Sequence, residues 1–485
     1  MTNPVLPSEL PLFVDLDGTV IKSDMLFESF LWLLKHRPWT LLLTPFWLVK
    51  GRANLKYEIA SRAQPNIESL PLNTQFLEYL KQQAANRREI ILISASDERV
   101  TRRVAEHLGL FSRACGSNAT TNLKAEKKLQ RVQSLCGKNA FAYAGDSAAD
   151  LILWQHAAQA ICVNAKARVR KKFNSLARVA DQQLIKNDLH FDKPQTSFAL
   201  LRSMRPHQWL KNALLFLPLL LSHRLQELDL LISSAAGFVA FSLCASSVYL
   251  LNDMLDLESD RLHTTKKFRP FAAGDLSLRS GFLAAPALLT TAFICAALLN
   301  TSFSLLLAAY WFATLCYSLR LKSLLFIDAV TLAGLFCVRI LAGASAIGVT
   351  ASSWLLSFAL FLFFGLALVK RHAELMNLHK EGKQESAGRA YRVSHLPLLS
   401  ILGPSANIAA IAIFALYALS DTAAALYSQP WLLLAACPGM FYLVARVWRI
   451  ARAGELEEDP VRFAIKDRIS QLVIALCAGI FWLAI

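Results

Sequence analysis

The first part of the chain alternates between short apolar runs and stretches with helical spacing of apolar positions. Strands that alternate with helices form βαβ units and a parallel sheet. We therefore predict an N-terminal α/β domain, a Rossmann-like parallel sheet with a helical cap. Its four predicted strands are Pro11–Asp15, Glu89–Ser94, Ala140–Gly145 and Gln159–Val163.

The second part of the chain is much more apolar. Asp, Glu, Lys and Arg are all missing from four long runs, Gly281–Leu319, Ile340–Val369, Leu399–Ser420 and Thr422–Ala445. A bilayer is crossed by about 20 apolar residues, so these runs predict membrane spans. We predict an all-α membrane bundle of about nine transmembrane helices, at 208–222, 230–251, 281–299, 302–319, 325–347, 353–370, 398–419, 430–446 and 469–485.

A polar, irregular segment from Asp181 to Phe198 is interpreted as the linker, which gives predicted domains at 1–190 and 191–485. Another segment, Leu26–Lys50, is very apolar but is interrupted by Lys35, His36 and Arg37. It is either a hydrophobic cap that rests on the bilayer surface or a pair of core helices of the first domain. We favour the cap that faces the membrane.

The excess of basic residues suits a protein that lies in a membrane. The 485 residues include 51 Lys and Arg against 35 Asp and Glu, a formal net charge of +16, and the bases collect between apolar spans. This distribution follows the positive-inside bias, and no nucleic-acid motif is present, so no nucleic-acid partner is expected. The N-terminus lacks the features of a secretory signal. We expect a multi-pass protein of the bacterial inner membrane, with its first domain in the cytosol.

Two carboxylates, Asp15 and Asp17, end the first predicted strand and are followed by Gly18. Residues i and i+2 of a strand point the same way, and the glycine lets the chain turn. The pair suits a nucleophilic carboxylate beside a second carboxyl that acts as general acid and base.

Three further features suit phosphate chemistry. Ser94 ends an apolar strand and can donate to a phosphoryl oxygen, and Lys124 can neutralise the phosphate, with Lys127 and Lys128 as close rivals. Asp146 and Asp150 follow another strand and offer the oxygen ligands that Mg²⁺ prefers.

This set of motifs resembles the haloacid dehalogenase superfamily of phosphohydrolases, over roughly residues 10–180. The resemblance implies that Asp15 forms an aspartyl-phosphate and that Asp17 protonates the leaving oxygen. It implies that Ser94 and Lys124 hold the phosphoryl group. It also implies Mg²⁺ on Asp15, Asp146 and the Asp17 carbonyl, with Asp150 as support.

A second group of acids follows the second predicted span. If the helix continues, Asn252, Asp256 and Asp260 lie on one face, with Asp253 beside them. Crowded carboxylates repel one another unless a cation joins them, and Mg²⁺ that bridges a diphosphate meets this need. The bases beyond the acids would then contact phosphate oxygens: Arg261, Lys266 and Arg269.

This motif, NDxxDxxxD, resembles that of the UbiA superfamily of intramembrane prenyltransferases, over about residues 200–485. Three stretches look more particularly like decaprenyl-phosphate phosphoribosyltransferases: Arg205–Asn212, Asn252–Pro270, and Tyr317–Lys322 followed by Asp328. The resemblance implies that phosphoribosyl pyrophosphate (PRPP) is joined to a polyprenyl phosphate with Mg²⁺. Asp253 and Asp256 would be catalytic, and these two residues and Asp260 would bind the metal.

The residues that we expect to bind substrate come from these motifs and from charges at or inside span ends, where an unpaired charge is costly. An inter-helix ion pair is the alternative role for Asp328 and Arg339. The expected substrate-binding residues are Lys211, Asn212, Asn252, Arg261, His263, Lys266, Arg269, Tyr317, Lys322, Asp328, Arg339, Lys370 and Arg371.

Two other functions remain open. One is an aromatic prenyltransferase that moves a prenyl group from its diphosphate to an acceptor such as 4-hydroxybenzoate. Its family's second motif resembles DxxxD, whereas the stretch from Asp328 to Leu332 keeps one acid. The other is a transporter or membrane anchor whose only chemistry is that of the first domain. For the preferred function, fusion suggests that the first domain removes the 5-phosphate of the lipid product.

Overall fold

The structure is a computed structural model that describes residues 10–137, 139–176, 185–189, 196–385, 389–456 and 460–485. It contains two compact units. The first comprises residues 1–205 and 249–286, and the second comprises residues 206–248 and 287–485. The segment with the second acid motif therefore groups with the N-terminal residues.

The first unit is built on a parallel sheet of six strands in the order β3-β2-β1-β4-β5-β6. This confirms the predicted α/β class. The strands are β1 (Leu12–Val14), β2 (Ile90–Asp97), β3 (Arg113–Ser117), β4 (Ala142–Gly145), β5 (Gln159–Val163) and β6 (Ile185–Leu189).

Two of these strands, β3 and β6, were not predicted. β6 lies within the expected linker, where it pairs with β5, and the helix Thr196–Met204 follows. The linker positions 181–184 and 190–195 lie outside the described residues. Polar composition concealed β6, because four of its five residues are exposed on the sheet edge.

Alternation along the central strand sends side chains to two apolar layers. Leu12 and Val14 join one buried cluster, and Phe13 joins the other together with Tyr143 and Trp154. Asp15 continues β1, and its backbone N–H donates to the Ala144 carbonyl at 2.9 Å. The end of β1 therefore lies beside the end of β4.

The helices of the first unit surround the sheet and include a cap, which we define as residues 25–62. The cap contains the apolar segment 26–50. The α-helices are Met25–His36, Thr44–Val49, Arg52–Arg62, Thr74–Ala85, Glu98–Leu108, Glu126–Cys136, Leu151–His156, Ala167–Asn174, Thr196–Met204 and Leu257–Leu262. The 3₁₀ helices are Pro38–Leu43, Ala148–Asp150 and Lys266–Phe268.

Seven helical segments in the described part of the chain are long and apolar enough to cross a membrane. They confirm the all-α membrane class. These segments are Leu228–Leu255, Leu278–Leu299, Thr301–Leu319, Ile327–Ala346, Ser353–Lys380, Val393–Ala418 and Pro430–Ala453.

The predicted count of nine spans is not confirmed. The first expected span, 208–222, is a 3₁₀ helix, Pro206–Phe216, followed by the short α-helix Leu217–Leu221. The last is the 17-residue helix Arg468–Ala484. At 1.5 Å per residue this helix is about 26 Å long, less than the roughly 30 Å of a bilayer core.

Shorter helices complete the second unit, and its long helices pack closely through small residues. A Cβ on Gly403 would lie 1.9 Å from the Trp448 ring, so only glycine allows this approach between helices. The remaining α-helices are Asp421–Leu426 and Pro460–Lys466, and Leu321–Ser323 is a 3₁₀ turn. Two of the spans begin with a 3₁₀ turn, Val393–His395 or Pro430–Ala436, followed by the α-helix Leu396–Ala418 or Cys437–Ala453, respectively.

Candidate active sites

The first candidate site lies at the carboxyl ends of β1 and β4. Asp15, Asp146 and Asp150 each place a carboxylate oxygen within 4.8 Å of the others. Parallel neighbours deliver these groups to one edge of the sheet, where such sites form. Three carboxylate oxygens are the donor set that Mg²⁺ prefers, so these residues fit that ion.

Gly18 is required for this arrangement. Its backbone has φ +79°, and a Cβ there would lie 2.3 Å from Oδ2 of Asp146. The chain therefore turns directly against the Asp146 carboxylate, with no space for a side chain.

The structure places Lys128, rather than Lys124, beside Asp15. The Lys128 ammonium lies 2.9 Å from Oδ2 of Asp15 and 3.6 Å from Oδ1 of Asp150, and it donates to the Tyr143 hydroxyl at 3.0 Å. Lys128 is buried, whereas Lys124 is exposed. The helix Glu126–Cys136 turns its buried face, with Lys128, toward the sheet, and this geometry favours the rival Lys128 over Lys124 as the lysine beside Asp15.

Asp150 is held as a supporting group. It accepts hydrogen bonds from the Tyr143 hydroxyl at 2.6 Å and from the Ser147 hydroxyl at 2.7 Å. Burial is the main cause that raises the pKa of Asp15 to about 7; Lys128 opposes the shift, and the carboxylates of Asp150 and Asp17 contribute to it. A dry site with several carboxylates therefore favours an added cation.

Asp17 faces the cap. Its carboxylate accepts from the Met25 backbone N–H at 2.9 Å and from the Ser96 hydroxyl at 2.5 Å, whereas the Ser94 hydroxyl is 3.4 Å away. Burial raises the pKa of Asp17 to about 6, with a further contribution from Asp24. A carboxyl with a raised pKa can carry a proton near neutral pH, as a general acid must.

The second acid motif has a different geometry from the expected continuous helix. The helix Leu228–Leu255 ends before Asp256, which begins the helix Leu257–Leu262. Asp253 and Asp260, both buried, share Arg269, whose guanidinium lies 3.2 Å and 2.6 Å from them. The spacing of seven residues, about two helical turns, puts these two acids on one side.

Arg205 adds a second cation to this group. Its guanidinium lies 2.5 Å from Oδ1 of Asp253. Asp256 and Asn252 are half-buried, while His263 and Lys266 are exposed. The motif therefore forms a cluster of acids and arginines within the first unit.

Arg261 is committed to the cap and not to this cluster. Its guanidinium donates to both carboxylate oxygens of Glu28, at 2.6 Å and 3.2 Å, and both side chains are buried. Ser23 also donates to Glu28 at 2.5 Å. The donors of Arg261 therefore already serve a buried carboxylate, and its expected phosphate contact stays a prediction.

In the second unit, Asp328, Tyr317 and Arg371 come together as one network. The Arg371 guanidinium donates to Asp328 at 2.6 Å, to Glu374 at 2.7 Å and to the Tyr317 hydroxyl at 3.1 Å. Tyr391 donates to the other Asp328 oxygen at 2.5 Å. This is the inter-helix ion pair considered as an alternative for Asp328, although its partner is Arg371 and not Arg339.

Arg339 and Asn212 also come together in the second unit. Arg339 donates to Oδ1 of Asn212 at 2.9 Å and to the Tyr310 hydroxyl at 2.9 Å, and Asn212 donates to Ser242 at 3.1 Å.

The remaining basic residues expected to bind substrate, Lys211, Lys322 and Lys370, are half-buried. Their predicted roles in substrate binding stay predictions.

Several residues of these sites were missed by sequence reasoning. Ser96 lies two residues after the predicted Ser94 on the same apolar strand, so its strand position was an available signal. Glu28 and Tyr391 carried none, because their partners are far away along the chain: Arg261 and Asp328, respectively.

The fold and the two acid clusters define a multi-pass membrane protein whose N-terminal α/β domain carries a carboxylate site at the ends of its strands. Two family models match, UbiA prenyltransferase family over residues 213–478 and haloacid dehalogenase-like hydrolase over residues 12–153. The chain belongs to the UbiA prenyltransferase family, and its N-terminal part is a haloacid dehalogenase-like domain. Both family resemblances found in the sequence are confirmed.

Three relatives show what the chain resembles. It is 38% identical to uncharacterized protein y4nM of Sinorhizobium fredii over 478 residues, 98% of this chain and 91% of that protein. It is 30% identical to nodulation protein NoeC of Azorhizobium caulinodans, over 58% and 91% of the two chains. It is 29% identical to decaprenyl-phosphate phosphoribosyltransferase of Mycolicibacterium smegmatis, over 59% and 92%.

Replacing Lys128 tests the first site. We expect Lys128→Gln to lower hydrolysis of p-nitrophenyl phosphate by about 100-fold, because the charge beside Asp15 is lost. The matched control Lys124→Gln should stay within about threefold of the unchanged protein, since that side chain is exposed. Lys128→Arg and thermal unfolding would separate lost chemistry from lost folding. A larger loss for Lys124→Gln would refute the assignment.

Breaking the Glu28–Arg261 pair tests the attachment of the acid motif to the cap. Removing one partner of a buried ion pair costs about 3–5 kcal/mol, so Glu28→Ala should clearly lower the thermal unfolding midpoint of the full chain in detergent. Glu106→Ala, on an exposed helix face, should leave the midpoint nearly unchanged. The double variant Glu28→Arg/Arg261→Glu should recover part of the loss, and equal midpoints for Glu28→Ala and Glu106→Ala would contradict the role of the pair.

Proposed function

We propose that the protein transfers phosphoribosyl from PRPP to a polyprenyl phosphate, and that its hydrolase domain then removes the 5-phosphate of the product. The observation that carries the proposal is the cluster of Asp253 and Asp260 with Arg269 and Arg205 at the end of a membrane helix. Similarity to proteins named decaprenyl-phosphate phosphoribosyltransferase supports this choice of donor and acceptor.

The cluster has the charges that a pyrophosphate–metal complex needs. Asp253, Asp256 and Asp260 offer the oxygen ligands that would hold Mg²⁺, and the two buried acids already share one cation, Arg269. When bound, the ion supplies neutralisation of the pyrophosphate charge. Arg205, Lys266 and Arg269 contact phosphate oxygens once the acids are otherwise neutralised.

Catalysis then depends on position and charge. A phosphate oxygen of the lipid attacks the anomeric carbon of the ribose, and the bond from that carbon to pyrophosphate breaks. The arginines stabilise the developing negative charge on the leaving group.

The state of Asp328 supports this reaction over aromatic prenyl transfer. Both oxygens of this buried carboxylate accept hydrogen bonds, from Arg371 and Tyr391. Its charge is therefore already balanced, and the stretch from Asp328 to Leu332 contains no second acid. The DxxxD motif expected of a prenyl diphosphate site is therefore incomplete in this chain.

For the hydrolase step, Asp15 attacks the 5-phosphate and forms an aspartyl-phosphate while the bond from phosphorus to the ribose oxygen breaks, and Lys128 neutralises the phosphoryl group. Asp17 protonates the leaving ribose oxygen and then takes a proton from the water that hydrolyses the aspartyl-phosphate and releases free phosphate. Asp15, Asp146 and the Asp17 backbone carbonyl would hold Mg²⁺. The protein lies in the bacterial inner membrane with this domain in the cytosol, where PRPP is available. Fusion keeps the hydrolase close to the lipid product.

The first test varies the acid motif. We expect Asp253→Asn and Asp256→Asn to reduce lipid formation from PRPP and decaprenyl phosphate by about 100-fold or more, because charge neutralisation is lost. Asp229→Asn, at an exposed helix start, is the control and should retain activity. Mass spectrometry of the lipid identifies the product. Prenylated 4-hydroxybenzoate made from prenyl diphosphate, with no product from PRPP, would instead establish aromatic prenyl transfer.

The second test separates the two steps. Asp15→Asn should leave phosphoribosyl transfer intact and make the 5-phosphorylated lipid accumulate, because the nucleophile of the hydrolase is lost. Asp253→Asn is the reciprocal control, with hydrolysis of p-nitrophenyl phosphate retained and transfer lost. If the Asp15→Asn protein makes lipid without accumulating the phosphorylated form, the hydrolase acts on another substrate.

A further inference from the structure

The cap carries an exposed apolar surface, which we call the apolar patch. It consists of Trp39, Leu42, Leu43, Phe46, Leu48 and Val49. The exposed fractions of the side chains are large, 81% for Trp39, 69% for Phe46 and 89% for Val49. A contiguous set of exposed aromatic and aliphatic groups marks an interaction surface.

Packing fixes the outward direction of the patch. Trp47, in the middle of it, is buried in a cluster with Leu33 and Ile59, and the Arg62 guanidinium lies 4.9 Å from its ring centroid. With Trp47 facing inward, its neighbours Phe46 and Leu48 face outward. The patch therefore cannot bury itself by a small rotation of its helix.

The cap contacts a helix that is long enough to cross a bilayer. The ring centroid of Phe282 lies 5.5 Å from that of Phe27 and 5.3 Å from that of Phe30. Phe282 belongs to the first turns of Leu278–Leu299, and Phe27 and Phe30 belong to the cap helix Met25–His36. The cap therefore contacts the first turns of this candidate span.

Basic residues border the patch on both sides. Lys35 and Arg37 precede it, Lys50 and Arg52 follow it, and all four are exposed. Such a border is attracted to anionic lipid headgroups. The apolar helical segment itself, Pro38–Val49, is too short to cross a bilayer, so it suits insertion at the interface.

We propose that the apolar patch inserts into an anionic phospholipid surface beside the span Leu278–Leu299. The basic border and the contact with Phe282 favour lipid over a second copy of the chain. The next helix, Arg52–Arg62, carries Lys56, whose ammonium donates to the Ala95 carbonyl at 2.6 Å and to Asn122 at 3.2 Å near the hydrolase site. The inserted patch therefore holds this site at the boundary between lipid and water.

Photo-crosslinking of the full-length protein in lipid nanodiscs tests the proposal. Benzoylphenylalanine is placed singly at position 39 or 46, at Leu283 as the positive control on the exposed face of the span, and at Glu106 as the exposed polar control. The discs contain phosphatidylcholine with or without phosphatidylglycerol. We expect phospholipid adducts at 39 and 46 at yields within about threefold of position 283 and about tenfold above position 106.

Two results would overturn the proposal. One is a yield at 39 and 46 as low as at 106 while position 283 reacts with lipid. The other is crosslinking to a second copy of the chain in place of lipid. Changing the four border residues to Gln should lower the adduct yield several-fold in anionic discs and little in neutral discs. Equal adduct yields of the unchanged protein in the two kinds of disc would contradict the preference for anionic lipid.

Discussion

Neutralisation of buried carboxylates is the interaction on which these sites depend. A charge removed from water costs several kcal/mol unless an opposite charge and hydrogen bonds replace the solvent. Asp15 is paired with Lys128, Asp253 and Asp260 with Arg269, and Asp328 with Arg371. Each pairing fixes a buried acid through a residue from another segment of the chain.

These pairings differ in how completely they neutralise the acids. In the hydrolase site, one lysine faces a cluster of carboxylates, so negative charge remains for a divalent cation. In the Asp328 network, Arg371 and Tyr391 satisfy the carboxylate, Tyr317 accepts from Arg371, and Arg389 adds a contact to Glu374. The first arrangement suits chemistry, whereas the second stabilises the packing of membrane helices.

The cap connects two parts of the first unit that are distant in sequence. One helix, Met25–His36, presents Glu28 to Arg261 and two phenylalanines to Phe282. The backbone N–H of Asn66 also donates to Glu258 at 3.2 Å. These contacts explain why residues 249–286 group with the N-terminal residues, although they connect two membrane helices along the chain.

The sequence by itself determined the fold classes, the two families and most of the acids of both motifs, because period, hydrophobic length and local spacing are properties of contiguous residues. Only the tertiary structure placed Lys128, rather than Lys124, beside Asp15. It also paired Arg261 with Glu28 and Asp328 with Arg371. It also added β6, whose polar residues read as a linker. These pairings depend on which charged side chains from distant segments are buried against one another. The spacing of residues along the sequence does not specify their distances in space.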